Sequence, residues 1–279
     1  ADRRAGALPG SGGGGVTLAE RIVPGGQALA PRRVDARLHF RAHRGRTHLA
    51  GQHTPHPFHI TRPFHLPGEP AGMATLYLQS SSGGLYGDDN LTLDVSAGAG
   101  AAAHVTTQAS TIVHPARGGE TRQETRIEAG PGALLEFCPD PLILFAGAAL
   151  SASLTARVGE DARLILADAA LTHDPAGAGT PFESFANTIR IEDAAGEPLL
   201  VDRQRVTGAE WRERTGARPC HGTVIAAGLD AEETARAEAA LAESVAGDDP
   251  GPLYAGVTAF AERGIVLARC LAADGATLS

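Results

Sequence analysis

"LTLDVSAGAGAAAHVTTQ", residues 91–108, alternates apolar and polar residues, breaks at a Gly-Ala turn and then alternates again. Alternation with period two puts successive side chains on opposite faces, so the stretch predicts two strands joined by a tight turn. The form returns as "TRIEAGPGALLEFCPD" (125–140), "LTARVGEDARLILADA" (154–169) and "NTIRIEDAAGEPLLVD" (187–202). The equivalent turn residues Gly100, Gly132, Asp161 and Glu197 are separated by 32, 29 and 36 residues. A single hairpin cannot bury its apolar face, but a stack of them can, and repeats of this length point to stacked units. The expected fold is therefore mainly β: a layered, β-helix-like stack of short strands, with about two helices toward the C-terminus.

Outward from the repeat, "RVDARLHF" (33–40), "ATLYLQS" (74–80) and "TRQETRIE" (121–128) also read as strands. "LDAEETARAEAALAESVAGDD" reads as a helix over about 230–246, with Asp230 as its cap and Glu232 and Glu233 in the first turn. "GIVLARCL" (264–271) is one more strand, and the last residues read as the start of another element. Residues 1–30, rich in Gly, Ala and Pro, are expected to be a disordered leader, with 31–279 as one β-rich domain.

Composition narrows the function. The net charge of −8 argues against a nucleic-acid partner, which would demand a clustered positive excess. The one basic run, Arg32, Arg33, Arg37, Arg41, Arg44 and Arg46, is read as a solvated strand face. No stretch has the roughly 20 apolar residues that cross a bilayer, so no membrane role is expected. Cys138, Cys220 and Cys270 are few and far apart, which fits a reducing cytoplasm.

Several motifs carry less than they promise. "GAGAAA" (98–103) fits the dinucleotide pattern, but that chemistry needs a helix to open there, and "HVTTQAS" favours strand. Cys220 and His221 are adjacent on a strand and so point to opposite faces; a structural cysteine and a surface histidine are the expected reading. Seven of the eleven histidines lie between His39 and His65. His53, His56 and His59, interleaved with prolines, would sit about 9 Å apart on a polyproline II path. Imidazoles sharing one ion need metal–nitrogen bonds of about 2 Å, so "HTPHPFHITRPFH" (53–65) is not a chelating motif.

"RLHF" (37–40), "PFHITRPFH" (57–65), "GGLYGDDNLTLDV" (83–95), "VTTQASTIVH" (105–114) and "LLEFCPDPLILFAGA" (134–148) together resemble the urease accessory protein UreD (UreH) family. "GEPLLVDR" (196–203) and "GIVLARCL" fit that family's later strands, and order and spacing agree over about 34–272. The resemblance implies a non-enzymatic maturation scaffold or chaperone that assists nickel insertion into the urease metallocentre. It implies partners too: the accessory proteins UreF and UreG (a GTPase), apo-urease, and homodimeric assembly through that complex. No tightly bound cofactor is implied, only transient contact with Ni²⁺, with an internal tunnel proposed to pass the ion.

Carried over residue by residue, the resemblance makes Gly83, Gly84, Gly87 and Asp88 shape a turn, and makes Thr106, Thr107 and Gln108 polar signature residues of a strand. Asp88, Asp140, Glu183, His59 and His65 become the candidates for a nickel path or interface. The plain alternative for each is hydrogen bonding within a tight β-layer. The chain departs from the family's usual pattern at "HDPAGAGTPFESF" (173–185), where only Glu183 and Phe185 survive. A second class competes: a β-helical or β-sandwich carbohydrate-active enzyme using Asp88, Asp140 and Glu183, whose catalytic pair must lie roughly 5 to 9.5 Å apart across a groove.

Overall fold

A computed structural model describes residues 32–67, 70–245 and 253–278. The expected leader lies outside these residues. Strand β1 (Arg32–His43) and β2 (Arg46–His53) form an opening hairpin, followed by β3 (Phe58–Ile60) and β4 (Ala74–Ser80). Three coils then run in succession: β5 (Asp89–Ala97), β6 (Ala102–Thr107) and β7 (Thr111–Val113); β8 (Thr121–Ala129), β9 (Leu134–Cys138) and β10 (Leu142–Phe145); β11 (Ala149–Val158) and the long β12 (Arg163–His173). A hairpin of β13 (Ser184–Glu192) and β14 (Pro198–Thr207) leads to α1 (Gly208–Thr215) and β15 (Cys220–Ala227). Helix α2 (Ala231–Val245), β16 (Leu253–Phe260), β17 (Ile265–Ala272) and α3 (Gly275–Leu278) complete the described chain. Mainly β with a few late helices is the architecture the alternation predicted.

The repeated units are not hairpins. β5 pairs in parallel with β1 and β8, and β6 pairs in parallel with β4 and β9. The two strands of a unit thus belong to different sheets, and the turn between them is an arch. A seven-stranded sheet runs β14-β13-β11-β8-β5-β1-β2, and an opposing ten-stranded sheet carries β16-β17-β15-β12-β9-β6-β4-β3, with β10 and β7 branching from β12. Alternation specifies which face is apolar but not which strand lies alongside, so hairpin and arch look alike in sequence. The 187–202 unit alone is a true hairpin, since β13 and β14 pair antiparallel.

The arches stack by backbone contact. Gly130 N donates to Ala97 O and Gly159 N to Ala129 O, each at 2.8 Å. A Cβ on either glycine would meet that same carbonyl at 2.9 or 2.8 Å, so a side chain does not fit. One step on, Gly100, Gly132 and Asp161 share positive φ values of 64°, 63° and 54°, where aspartate is among the few side chains that sit readily. Inside the arches Ala101, Ala133 and Ala162 are fully buried, small enough to let the two sheets meet.

Strand β1 places Ala36, Leu38 and Phe40 inward and Arg33, Arg37 and Arg41 outward. On the outward row Arg33 pairs with Asp35, Arg37 with Asp94 and Asp94 with Arg126, and Arg33, Arg37, Arg41, Arg44 and Arg46 of the basic run are exposed. The sequence reading overlooked α1, although "TGAE" is a capping box: Thr207 and Glu210 exchange side-chain-to-backbone hydrogen bonds at its start. Its buried Trp211 anchors one end of the core.

Candidate functional site

Two apolar clusters fill the space between the sheets. One follows the arches and contains Phe40, Val95, Ile127, Leu135 and Leu164; the other contains Leu85, Leu91, Val113, Leu150, Phe185 and Trp211. Between them lies a polar stripe. In the seven-stranded sheet, register aligns Gln123, Ala152, Asn187 and Gln204 in one row, and Thr125, Leu154, Ile189 and Asp202 in the next. In the opposing sheet Asp168, Thr223 and Arg269 stand side by side.

The stripe opens into a cavity of about 310 Å³ whose lining includes Thr107, Gln108, Gln123, Asp140, Asp168 and Asn187. Asn187 Nδ2 donates to Asp168 Oδ2 at 2.7 Å, bridging the sheets. Asp168 lies deep in the protein, and its accessible surface faces this cavity. Burial, with the nearby Asp202 carboxylate, pushes its pKa up to about 6 against the lowering effect of the Asn187 hydrogen bond. Farther along, Arg269 donates to Asp202 at 2.6 Å, and Gln204 Nε2 lies 3.4 Å from His221 Nε2. Burial and the Arg269 charge, opposed by Asp202, hold the His221 imidazole down at about 4, so it is neutral at pH 7.

At the cavity wall Thr107 and Asp140 clip together. Thr107 Oγ1 donates to Asp140 Oδ2 at 2.9 Å and accepts from Asp140 N at 2.8 Å. A short chain of side chains reaches the same wall from outside: His59 Nδ1 lies 2.6 Å from Gln79 Oε1, and Gln79 Nε2 donates to Gln108 Oε1.

Of the expected site residues, Asp140 lines the cavity, while Asp88, Glu183, His59 and His65 do not. Asp88 is exposed on its turn at φ 68° and packs against Gly118 and Gly119. Glu183 is exposed, its backbone N–H donating to Ala148 O. His65 Nδ1 donates to the carbonyl of Met73. Asp88 and Glu183 therefore do not stand with Asp140 in this cavity, so the cavity does not hold the three acids that the carbohydrate reading names together. His53, His56 and His59 are exposed. Within 57–65 regular strand is limited to Phe58–Ile60, with one further bridge from Phe64 to Thr75.

Thr107 and Gln108 face the cavity, whereas Thr106 points away and donates to Cys138 O at 2.7 Å. His221 is not on the surface but buried, its ring edge-on to Trp211 at 6.1 Å. The sequence reading missed Asp168, Asn187 and Gln123, yet strand parity marks them. In "RLILADAALTH" the inward positions Leu164 and Leu166 are followed two residues on by Asp168, and in "SFANTIRIE" Asn187 sits between the inward Phe185 and Ile189.

Chemically, the site offers oxygens and amides with two carboxylates, Asp140 and Asp168, in its lining. Among the described residues no three His, Cys, Asp or Glu side chains converge to hold a metal. Burial and the Glu136 charge push the Cys138 thiol up to about 12, and burial raises Cys220 and Cys270, so all three disfavour the thiolate.

Comparison with known proteins gives a consistent answer. The sequence model of the UreD urease accessory protein family matches residues 33–279. Urease accessory protein UreD 1 of Methylorubrum populi is 42% identical over 269 residues, covering 94% of this chain and 90% of that protein. UreD 1 of Methylorubrum extorquens is 43% identical over 270 residues, with the same coverage, and UreD 3 of a Bradyrhizobium species is 39% identical over 249. With a family match across nearly all of its described length and relatives of this similarity, the chain belongs to the UreD family of urease accessory proteins.

Proposed function

We propose that this chain is a non-catalytic scaffold that docks on apo-urease together with the accessory proteins UreF and UreG and assists insertion of nickel into the metallocentre. The observation that carries the reading is the polar stripe. A stack of this kind has no structural need for Gln123, Asp168, Asn187, Gln204 and Asp202 between two apolar clusters, and apolar residues there would fold at lower cost. A polar guest entering between the sheets would find hydrogen-bonding partners in these groups.

Nickel as cargo suits this lining. A closed set of imidazoles or thiolates would hold the ion too tightly to release it, whereas the carboxylates of Asp140 and Asp168 among amides and hydroxyls contact it briefly. The same reading gives the chain no tightly bound cofactor and puts it in the cytoplasm, where its three unpaired cysteines would stay reduced. The test is a urease operon with this gene deleted, grown in limiting nickel. Urease activity is expected to collapse and to return on complementation; full activity without the gene would overturn the reading.

A further inference from the structure

The outer face of the seven-stranded sheet is basic at its first edge. On β1, Arg37, His39, Arg41 and His43 point outward, and register sets Arg41 opposite His48 and His43 opposite Arg46 on β2. The turn between the two strands adds Arg44, exposed at φ 50°. Acids are scarce here. Asp35 pairs with Arg33, and Asp94 is shared by Arg37 and Arg126. Among the described residues Arg41, Arg44 and Arg46 have no acidic partner. Farther across the same face Arg126, Arg157 and Arg190 meet Glu124 and Glu192. The surplus at the edge runs against the chain's net charge of −8.

The same edge is open along its backbone. β2 ends the sheet, with β1 as its strand partner. Among the described residues its backbone bonds to one further segment, where Thr47 N donates to Gly72 O at 2.8 Å. Beyond that point residues 50–53 are exposed. An edge strand offers unused N–H and C=O groups to any extended chain. Arginines beside it repel another basic strand, that of a second copy included, and select an acidic one. Alternate residues of a guest strand share one face, so acids at every second position would line up against the arginines.

We propose that the β1–β2 edge is the docking site for an extended, carboxylate-rich segment of a protein partner. The segment adds as a strand alongside β2 and sets its acids against Arg41, Arg44 and Arg46. The proposal rests on the scaffold reading above and names a surface through which the chain holds a maturation partner. A short protein segment meets this edge alone. A nucleic acid or an anionic membrane extends past it and is repelled by the acidic remainder of the chain.

The test compares the full-length chain with R41E/R46E and with R214E/R236E, which changes the net charge equally but on helices α1 and α2. Arg41 and Arg46 are exposed and unpaired with acids, so their replacement spares the fold, as circular dichroism and urea denaturation will verify. Binding to purified apo-urease, UreF and UreG is measured for each singly by calorimetry. At least one should bind the unmodified chain and R214E/R236E alike, bind R41E/R46E about tenfold or more weakly, and weaken as salt rises. Amide exchange over 49–53 should slow in that complex. Equal binding by R41E/R46E, an equal loss in R214E/R236E, or unchanged exchange in β2 would overturn the docking site. So would binding of a DNA duplex or of phosphatidylserine vesicles through the same arginines. Urease activation in the operon is scored separately. If the gene is needed but R41E/R46E binds every partner normally, the docking site fails and the scaffold reading stands. If R41E/R46E loses a partner while urease is fully active without the gene, the docking site stands and the scaffold reading fails.

Discussion

Asn187 of β13 donates to Asp168 of β12 at 2.7 Å, a hydrogen bond between opposed sheets at the level where the two apolar clusters part. The bond fixes a buried carboxylate in the middle of the stack. That carboxylate has consequences that can be measured.

The first concerns pH and stability. The Asp168 carboxyl rises from an ordinary 3.8 to about 6 on folding, so the folded chain binds more protons than the unfolded chain between these values. Stability from this group is therefore lost as pH climbs from about 4 to about 6, by at most about 3 kcal/mol and less where cavity water screens the charge. His221 falls from 6.5 to about 4, so its contribution runs the other way and is fully present only above about 6.5. The two slopes nearly cancel in the unmodified chain. In D168N the His221 slope stands alone, so urea denaturation should show stability rising steadily from about pH 4.5 to about pH 6.5. At pH 7 the variant should also exceed the unmodified chain by about 1 to 3 kcal/mol.

A second prediction separates two kinds of glycine in the arches. Gly132 has φ 63° and open space where a Cβ would project, and Asp161 occupies the equivalent position in the next arch. Gly132→Asn should cost little, about 1 kcal/mol or less. Gly159 has a carbonyl 2.8 Å from where a Cβ would go and two further backbone atoms at 2.9 and 3.0 Å. Gly159→Ala must push the arches apart and should cost about 2 kcal/mol or more by urea denaturation.

Thr107 and Asp140 should behave as one unit. Thr107→Val removes both of their hydrogen bonds while keeping the shape of the side chain. A loss of about 1 to 3 kcal/mol is expected, as is a fall in urease activation comparable to that of Asp140→Ala. Asp88→Ala, exposed and outside the cavity, should leave activation unchanged. Equal effects of D88A and D140A in the activation assay would contradict the assignment of the cavity as the site.

The histidine-rich segment gives the fourth. His53, His56 and His59 are exposed and share no ligand geometry, so the triple alanine variant should activate urease normally when nickel is plentiful. His59 has a link to the cavity wall, through Gln79 and Gln108. Any deficit in limiting nickel should therefore be reproduced by His59→Ala alone.

Much of this protein was legible before any fold was known. Alternation in "LTLDVSAGAGAAAHVTTQ" and its three echoes determined that the chain is β-rich and layered, because a period of two fixes which face of each strand is apolar whatever its neighbours are. The Asp230-capped helix followed from local chemistry in the same way, and Asp230 N and Glu233 N do exchange bonds with each other's side chains. The motifs that carried the family resemblance likewise needed no coordinates.

Strand partnership and the site were decided only by the tertiary structure. Whether an apolar face meets the next strand in sequence or one about 30 residues away depends on long-range register, which no local pattern encodes; hence arches stood where hairpins were expected. The same cause hid the centre of the site. Asp168, Asn187 and Gln123 come from three strands and two sheets, and each alone is one polar residue in an alternating run. Only when the sheets close do they share a cavity, and only there does burial raise the Asp168 pKa and leave Gln123 with an oxygen that no protein group satisfies.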